Sequence, residues 1–176
     1  MMQGDRVMLR PMEPADTDDV IRMRNNPDVL AQLFSDKPLT REEHLQWLDQ
    51  IRAQGIRQEF LIVERASGLS AGTIGLNHID SKHRRAEFGI LIGDTEARGK
   101  GLASEASRLL LDYAFNKLGL HRIYLYAFPD NNQALHLYRK LGFVQEGLLQ
   151  GHVVKNSEHR DVIVMAIIHP SYIGKQ

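Results

Sequence analysis

The order of strand-like and helix-like segments is the feature of this sequence that most restricts its fold. Short segments rich in apolar and β-branched residues and bounded by turn residues predict strands, at 6–10, 59–65, 72–79, 86–93, 121–128, 143–154 and 162–168. Apolar residues at helical spacing predict helices, at 15–24, 40–53, 102–118 and 131–141. Hairpin-length connections between early strands, followed by helix–strand–helix and a last hairpin, predict an α+β fold. We expect a mixed, mostly antiparallel central sheet of about seven strands flanked by about four helices.

Composition narrows the functional classes. The chain has 176 residues, so we expect one domain spanning 1–176. Lys plus Arg equals Asp plus Glu at 22 each, which gives no overall charge to attract nucleic acid. The acid-rich start lacks the apolar run of a signal peptide, and no stretch has the length of a membrane span. We therefore expect a cytoplasmic protein with neither a nucleic-acid nor a membrane partner.

The residue types also bear on metal and nucleophile chemistry. The chain has no cysteine, which excludes disulfides, thiolate zinc sites and a cysteine nucleophile. None of its eight histidines forms a closely spaced pair with ligand spacing. We expect no metal site, and we interpret the histidines as surface or packing residues.

A glycine-rich basic loop lies between the strand at 86–93 and the long helix. It reads Arg98-Gly99-Lys100-Gly101-Leu102-Ala103-Ser104. Glycines permit a sharp turn with several N–H groups directed together, and the helix start and the basic side chains add positive charge. This arrangement favours phosphate binding. It departs from the nucleoside-triphosphate pattern, since Lys100 is followed by Gly101, and no carboxylate stands where a dinucleotide fold needs one. An ordinary glycine turn that starts a helix remains the alternative.

A second motif follows about 30 residues later, from Asn131 to Phe143. On a helix, Asn131, Ala134 and Tyr138 share one face, where the small Ala134 leaves room for a ligand. Asn131 offers a donor and an acceptor, and Tyr138 a phenol. A buried tyrosine in an amphipathic helix is the alternative for Tyr138 alone.

The two motifs together, R-G-K-G-L-A and N-x-x-A-x-x-L-Y-x-K-L-G-F, resemble those of the GCN5-related N-acetyltransferase superfamily over nearly the whole chain. The resemblance implies an enzyme that transfers acetyl from acetyl-CoA to a primary amine by direct attack in a ternary complex. It implies Tyr138 as the acid that protonates the leaving thiolate. It also implies a set of cofactor-binding residues: Ile90, Leu91, Ile92, Arg98, Gly99, Lys100, Gly101, Leu102, Ala103, Ser104, Asn131, Ala134, Tyr138 and Lys140.

The acceptor side is less determined. Glu87 is the candidate base, although alternation places it opposite Phe88 and Ile90, where it could be only solvated or ion-paired. Arg24, Asn26 and His78 are further candidates for contacting the acceptor.

Three acceptor classes stay open, all resting on resemblance. The stretch 83–101 and the C-terminal strands resemble bacterial spermidine N-acetyltransferases, whereas 23–28 with 42–45 resembles aminosugar-nucleotide N-acetyltransferases of the pseudaminic-acid pathway. Acetylation of ribosomal-protein N-termini is the third. The acid-poor segment 33–40, with Lys37, favours a small-molecule acceptor such as an aminosugar nucleotide. A non-enzymatic acetyl-CoA sensor is the alternative of a different class, and a homo-oligomer is compatible with all of these.

Overall fold

The computed structural model describes residues 1–93 and 99–170. Its strands form a single sheet in the order β1-β2-β3-β4-β5-β6-β8-β7. The strands are β1 (Met2–Gln3), β2 (Val7–Pro11), β3 (Gln58–Glu64), β4 (Ser70–Asp80), β5 (Arg85–Ile92), β6 (Arg122–Ala127), β7 (Val144–Lys155) and β8 (Glu158–Ile168). The expected α+β class with a mostly antiparallel sheet is confirmed.

Helices cover both faces of this sheet. They are α1 (Thr17–Arg24), α2 (Pro27–Leu30), α3 (Arg41–Gln54), α4 (Leu102–Asp112) and α5 (Asn132–Leu141). A 3-10 turn, Pro14–Asp16, precedes α1, and a π-helical turn, Tyr113–Lys117, extends α4. No helix in the described part of the chain is long and apolar enough to span a membrane.

The helix boundaries follow local chemistry that is legible in the sequence. Thr40 and Glu43 form the expected capping box, because the Thr40 hydroxyl accepts from the Glu43 N–H and the Glu43 carboxylate accepts from the Thr40 N–H. The α3 helix ends at Gly55, whose φ of 66° suits a residue without a side chain. Asn26 caps α2 by accepting from the Asp28 N–H at 3.0 Å.

Two apolar cores lie on opposite faces. The larger one packs α4 and α5 on the sheet through residues such as Leu110, Ile123 and Phe88. The smaller one packs α1 and α3 on the other face through Met23 and Leu48. Burial of these side chains supplies most of the stabilisation, at roughly 25 cal/mol for each Å² of apolar surface removed from water.

In the described part of the chain, β5 and β6 form the parallel pairing of the sheet. It is also the shortest pairing between strands that are distant in sequence. The β5 and β6 strands are in register over three pairs, from Arg85 opposite Arg122 to Glu87 opposite Tyr124. Beyond Glu87, β5 and β6 are no longer paired with each other, although β5 stays paired with β4 and β6 stays paired with β8. The sheet therefore forks, and residues 88–92 have a free backbone edge facing the gap.

The strand and helix counts differ slightly from those expected. The sheet has eight strands rather than about seven, since the two residues of β1 are too few to leave an alternating pattern. The structure has five α-helices rather than about four, since α2 is a single capped turn after Pro27. The last hairpin is longer than predicted because Asn156 and Ser157 adopt positive φ and turn the chain within two residues.

Candidate active site

The fork between β5 and β6 brings the two sequence motifs together. The α4 helix is the next element after β5 in the described chain, and α5 is the next element after β6. Ile90, Leu91 and Ile92 lie on the free edge of β5, where their backbone groups can accept an extended ligand as an added strand.

The loop before α4 is shaped to receive an anion. Gly99 and Gly101 have φ of 81° and 77°, a region that side chains strain to occupy. The N–H groups of the first turn of α4 have no helical acceptors, and the Ser104 hydroxyl there is buried with no hydrogen-bond partner among residues 1–93 and 99–170. A buried polar atom without a partner at a helix start is consistent with a bound phosphate. Arg98, which the sequence also implicates, lies outside the described residues.

Lys100, Leu102 and Ala103 in this loop have contacts or exposures that the sequence did not predict. The Lys100 ammonium pairs with Glu64 at 3.1 Å, and the Lys100 carbonyl accepts from Arg6 at 2.7 Å. Leu102 is buried in the larger core, so it can offer a ligand only its backbone. Ala103, by contrast, keeps part of its surface exposed. Lys100 therefore braces the loop against β3 and is not a free cation at its surface.

The α5 helix supplies the phenol. Tyr138 packs against Phe88 and Phe143, with ring centroids 6.1 and 5.9 Å away. Its hydroxyl makes no hydrogen bond within the described residues, and burial raises the pKa of Tyr138 to about 12. Asn131 caps α5 by accepting from the Ala134 N–H at 3.4 Å, and its amide hydrogens make no hydrogen bond to any residue that the structure describes.

The remaining α5 candidates differ in exposure. Ala134 is partly buried, as expected for a small residue beside a ligand, whereas Lys140 is exposed in the last turn.

On the other face, a cavity of about 470 Å³ opens between the sheet and helices α1 and α3. Gly89 on β5 lines this cavity, and Gly75 on β4 is paired directly with it. The space above Gly75 holds the Glu59 carboxylate, because a Cβ there would lie 2.5 Å from Glu59 Cδ. The space above Gly89 is open, and a Cβ there would meet only Asn77 Nδ2, at 3.9 Å.

A charged cluster lines the inner wall of this cavity. Arg57 Nε donates to Glu59 Oε1 at 2.9 Å, and Arg57 Nη2 forms an ion pair with the same oxygen at 2.8 Å. The Arg57 guanidinium lies 4.8 Å from the Trp47 ring centroid. Burial raises the pKa of Glu59, and the Arg57 charge opposes that shift. Arg24 also lines the cavity and makes no hydrogen bond or ion pair with any described residue. Burial, then the nearby Arg57, lowers the pKa of Arg24.

Glu87 lies at the point where the sheet forks. It is paired with Asn77 on one side and Tyr124 on the other, so the three side chains share the face that carries the cavity. Burial raises the pKa of Glu87, and the charges of His78 and Arg57 oppose that shift. The His78 Nε2 lies 3.7 Å from Glu87 Oε2. Phe88, the next residue, points to the opposite face and contacts Tyr138, so a carboxylate and a phenol flank the fork.

Two residues depart from the expectations for the acceptor side. Asn26 does not line the cavity; its oxygen caps α2 and its nitrogen donates to the Gly93 carbonyl at 3.4 Å. His44, which sequence analysis interpreted as an ordinary packing residue, lines the cavity and is 1% exposed. Its position at the fourth residue of α3 was predictable, but its direction depends on how α3 packs on α1.

A lysine at the tip of the last hairpin fixes the rim of the cavity. The buried Lys155 ammonium donates to the carbonyls of Leu30, Leu33 and Ser35, at 3.0, 2.7 and 2.8 Å. Leu33 is a cavity-lining residue. The sequence carries no local sign of this contact, since the partners are about 120 residues apart.

The described residues contain no group of three or more histidine, aspartate or glutamate side chains arranged to hold a metal ion. The sites described above therefore consist of backbone groups, a phenol, carboxylates, guanidinium groups and one buried imidazole.

Comparison with known proteins finds similarity along nearly the whole chain. A model of the acetyltransferase (GNAT) domain matches residues 6–144. The spermidine N(1)-acetyltransferase of Escherichia coli (strain K12) is 36% identical over 175 residues, which cover 99% of this chain and 92% of that protein. The spermidine N(1)-acetyltransferase of Vibrio cholerae is 32% identical over 172 residues, with 98% of each chain covered.

Solved structures agree with the sequence matches. The spermidine N-acetyltransferase of Vibrio cholerae in complex with CoA and spermine superposes with a TM-score of 0.87 at 30% identity, covering 97% of this chain and 99% of its own. A dodecameric structure of the Vibrio cholerae enzyme in an intermediate state has a TM-score of 0.81 at 30% identity, with 98% and 99% covered. With a domain match over 6–144 and this similarity over its full length, the chain belongs to the GNAT family of acetyltransferases, enzymes that use acetyl-CoA as the acyl donor.

Proposed function

We propose that this acetyltransferase acetylates a primary amine of a polyamine, with spermidine as the first acceptor to test. The observation that carries the proposal is the set of uncommitted hydrogen-bond acceptors at the cavity. Within the described residues, the Asn77 Oδ1 and His44 Nε2 atoms are buried without hydrogen-bond partners, and Glu87, whose pKa burial raises, is paired with Asn77 on the sheet. A ligand rich in N–H donors satisfies such groups, whereas an acceptor-rich ligand leaves them unpaired.

The similarity to spermidine N-acetyltransferases supports the same acceptor class. It favours the polyamine alternative over the aminosugar-nucleotide interpretation that the sequence motifs suggested. That interpretation rested on the resemblance of 23–28 with 42–45, and it was preferred because the segment 33–40 is poor in acidic residues. In the structure this segment forms the rim of the cavity through Leu33 and Leu39, whereas the carboxylates near the floor come from β3 and β5.

The reaction we propose is a direct transfer. The neutral amine nitrogen attacks the acetyl carbonyl carbon, the carbon–sulfur bond breaks, and the sulfur leaves with the bonding electron pair. Glu87 takes the amine proton, directly or through one water, and Tyr138 gives a proton to the sulfur. Backbone N–H groups on the free edge of β5 can stabilise the negative charge on the carbonyl oxygen. Glu87 and Tyr138 act from opposite faces of the fork, so neither crowds the other.

The acidities of the two groups suit these roles. A carboxylate with a raised pKa is a stronger base than a solvated one, and burial supplies that shift for Glu87. With a pKa of about 12, Tyr138 stays protonated at neutral and mildly alkaline pH, so it is available as a donor there.

Acetyl-CoA fits the side of the fork that carries α4. We propose that the loop with Gly99 and Gly101, the first turn of α4 and the Ser104 hydroxyl hold the pyrophosphate. The free edge of β5 and the Asn131 amide would then hold the amide-containing arm. The reacting thioester would lie in the gap between Glu87 and Tyr138.

A second acceptor class rests on one observation, Arg24. A partly buried guanidinium that lines the cavity without an ion-pair partner suits an acceptor that carries a carboxylate or phosphate. Aminosugar nucleotides belong to this class.

Steady-state kinetics over an amine panel distinguishes the two classes. The panel contains spermidine, spermine, putrescine, an aminosugar nucleotide and free amino acids, with release of CoA as the readout. We expect spermidine to give the highest kcat/KM. We expect the KM for spermidine in Arg24→Ala to be either unchanged or lower than in the wild-type enzyme. Turnover of only the anionic amines, with a raised KM in Arg24→Ala, would replace the polyamine proposal with the second class.

The proposal also includes the location of the enzyme and its self-association. We propose that the enzyme acts in the cytoplasm, where both acetyl-CoA and polyamines are available to it. We also propose that it self-associates, as the dodecameric Vibrio cholerae relative does. Light scattering of the purified protein gives its mass in solution, and a mass near 20.0 kDa would contradict self-association.

A further inference from the structure

We propose that His44 determines acceptor specificity: its Nε2 accepts a hydrogen bond from a second nitrogen of the polyamine, away from the amine that is acetylated. This inference rests on the proposed function and names a subsite within it. It follows from a chain of hydrogen bonds that fixes which ring nitrogen of His44 carries hydrogen.

The chain begins at the 3-10 turn before α1. The Thr17 hydroxyl has one hydrogen, and it donates that hydrogen to the Pro14 carbonyl at 2.8 Å. The same Thr17 oxygen lies 3.1 Å from His44 Nδ1. Since the hydroxyl hydrogen is already committed, Thr17 can only accept from His44, and Nδ1 must carry the hydrogen. In the neutral ring, Nε2 is then a bare acceptor.

His44 is held in the neutral form by its surroundings. Burial lowers the pKa of His44, and the Arg24 charge lowers it further, whereas the Asp16 charge opposes the shift. Arg24 belongs to α1 and Asp16 to the turn before it. The other charged groups that line the cavity are Glu43 on α3, Glu59 on β3 and Arg57, which directly precedes β3. Near neutral pH, Nε2 therefore presents a lone pair and no charge.

The Nε2 atom is buried and has no hydrogen-bond partner in the described residues, and the ring to which it belongs lines the cavity. An unsatisfied buried acceptor destabilises a fold, so such atoms point to a partner that binds. Asn77 Oδ1 is a second buried acceptor on the floor side of the same cavity. Two acceptors and the Trp47 ring suit an alkylammonium, whose charge an aromatic face also attracts.

The size of the cavity agrees with a ligand that has two functional ends. At about 470 Å³ it falls within the range of roughly 300–1,000 Å³ typical of small-molecule sites. It extends from Gly89 and Ile90 on β5 to His44 and Trp47 on α3. An acceptor with its reacting amine near β5 can therefore place a second nitrogen near α3.

The test compares acceptors that differ by one group. Butylamine, 4-amino-1-butanol and putrescine share a four-carbon chain and end in a methyl group, a hydroxyl and a second amine, respectively. We expect the wild-type enzyme to prefer putrescine over butylamine by at least about 10-fold in kcat/KM, the lower end of what a charged hydrogen bond contributes. The amino alcohol should fall between them.

Two substitutions of His44 form a matched pair. His44→Asn keeps a donor near the position of Nδ1 for Thr17 and removes Nε2, whereas His44→Gln retains an acceptor near Nε2. We expect His44→Asn to raise the KM for spermidine by about 10- to 100-fold, with kcat within a few-fold, and to bring the putrescine-to-butylamine ratio close to 1. His44→Gln should restore part of the preference. Affinity for CoA should be the same in all three proteins.

A readout on the wild-type enzyme removes dependence on the folding of the variants. Nitrogen-15 NMR of the His44 ring should show hydrogen on Nδ1, and spermidine should shift the Nε2 resonance in the presence of CoA. Hydrogen on Nε2, or an unchanged putrescine preference in His44→Asn, would overturn the assignment while leaving polyamine acetylation intact. Failure of the wild-type enzyme to acetylate any polyamine would overturn both proposals.

Discussion

Gly75 and Gly89 face each other across β4 and β5, yet a methyl group added at one would have a different consequence from a methyl group added at the other. Above Gly75 the Glu59 carboxylate already fills the space, so a Cβ would lie 2.5 Å from Glu59 Cδ and 2.6 Å from the Gln58 carbonyl oxygen. Above Gly89 the space is free. One glycine accommodates a protein side chain, and the other leaves room that we assign to the acceptor.

Gly89→Val is therefore expected to block the acceptor without loss of fold, because valine is a favourable strand residue and would project into the cavity. We expect the KM for the amine to rise by at least about 10-fold, the loss that misplacing one favourable contact produces. Steady-state kinetics measures it, and Gly147→Ala is the control, since its Cβ would meet only Val164 at 3.5 Å. An unchanged KM in folded Gly89→Val would place the acceptor elsewhere.

The loop before α4 gives a second prediction, about acetyl-CoA. Gly99→Val must adopt a φ near 81°, which strains the loop, and a side chain would occupy open space where we place the pyrophosphate. We expect CoA affinity, measured by calorimetry, to fall by at least about 100-fold.

Gly119→Val provides the matched control for that experiment. Gly119 has a φ of 65° with nothing within 4 Å of an added Cβ, but it lies beyond the other end of the same helical segment. Both variants lose stability from the strained φ, and only Gly99→Val should lose CoA. Equal affinities in the two variants would show that the strain, and not the loop, accounts for any loss.

Tyr138→Phe isolates the proton donor. The ring contacts with Phe88 and Phe143 persist in this variant, and only the hydroxyl is removed. We expect kcat to drop by about 10- to 1,000-fold, since water can substitute in part for a positioned acid, with little change in CoA affinity. Because the pKa of Tyr138 is about 12, the wild-type pH profile should show no alkaline loss from this group below about pH 11. A wild-type kcat in the variant, with chemistry rate-limiting, would make Tyr138 a packing residue.

The acid side of the pH profile tests Glu87. A base must be deprotonated, so kcat/KM should rise with pH through the pKa of Glu87, which burial places above 4.5. Glu87→Gln should lower kcat by about 100-fold or more and remove this acid limb. Glu42→Gln, on the exposed first turn of α3, is the control. Retention of the acid limb in Glu87→Gln would assign it to another group.

Much of the fold follows from features that are local in sequence. The capping box at Thr40, the glycine that ends α3 and the alternation around Glu87 all predict their local structure correctly, because each depends on neighbouring residues only. The parallel junction of β5 and β6 does not have a local signature. Its three residue pairs depend on how the long α4 helix returns the chain to the sheet.

The candidate site divides in the same way. Tyr138 and the loop glycines belong to contiguous motifs, so sequence spacing finds them. His44, Glu59 and Arg57 meet Arg24 only after α1, α3 and β3 pack together, and no spacing relates them. Asn26 was expected to contact the acceptor, but its amide is committed to capping α2 and to the Gly93 carbonyl, a competition invisible in the sequence.

Lys155 gives a prediction about the rim of the cavity. Lys155→Met removes a buried ammonium that satisfies three carbonyls, which we expect to lower the free energy of unfolding by about 2–4 kcal/mol. The freed segment carries Leu33, so the KM for the amine should rise more than the KM for acetyl-CoA. Denaturant unfolding and kinetics measure the two effects, and Lys155→Arg should retain part of both. Wild-type stability in Lys155→Met would show that the three carbonyls are hydrated equally well without the ammonium.

The fork in the sheet also bears on the order in which the two substrates bind. Ile90 and Leu91 border the gap through their backbone, and both line the acceptor cavity, Leu91 with a side chain on the cavity face of β5. An extended cosubstrate arm bonded to this edge would stiffen one wall of the cavity before the amine arrives. We expect compulsory-order kinetics in which acetyl-CoA binds first. The product CoA should then be a competitive inhibitor with respect to acetyl-CoA and not with respect to the amine. Because the pairing of β5 with β6 stops after three residue pairs, we expect the sheet itself to determine which substrate binds first.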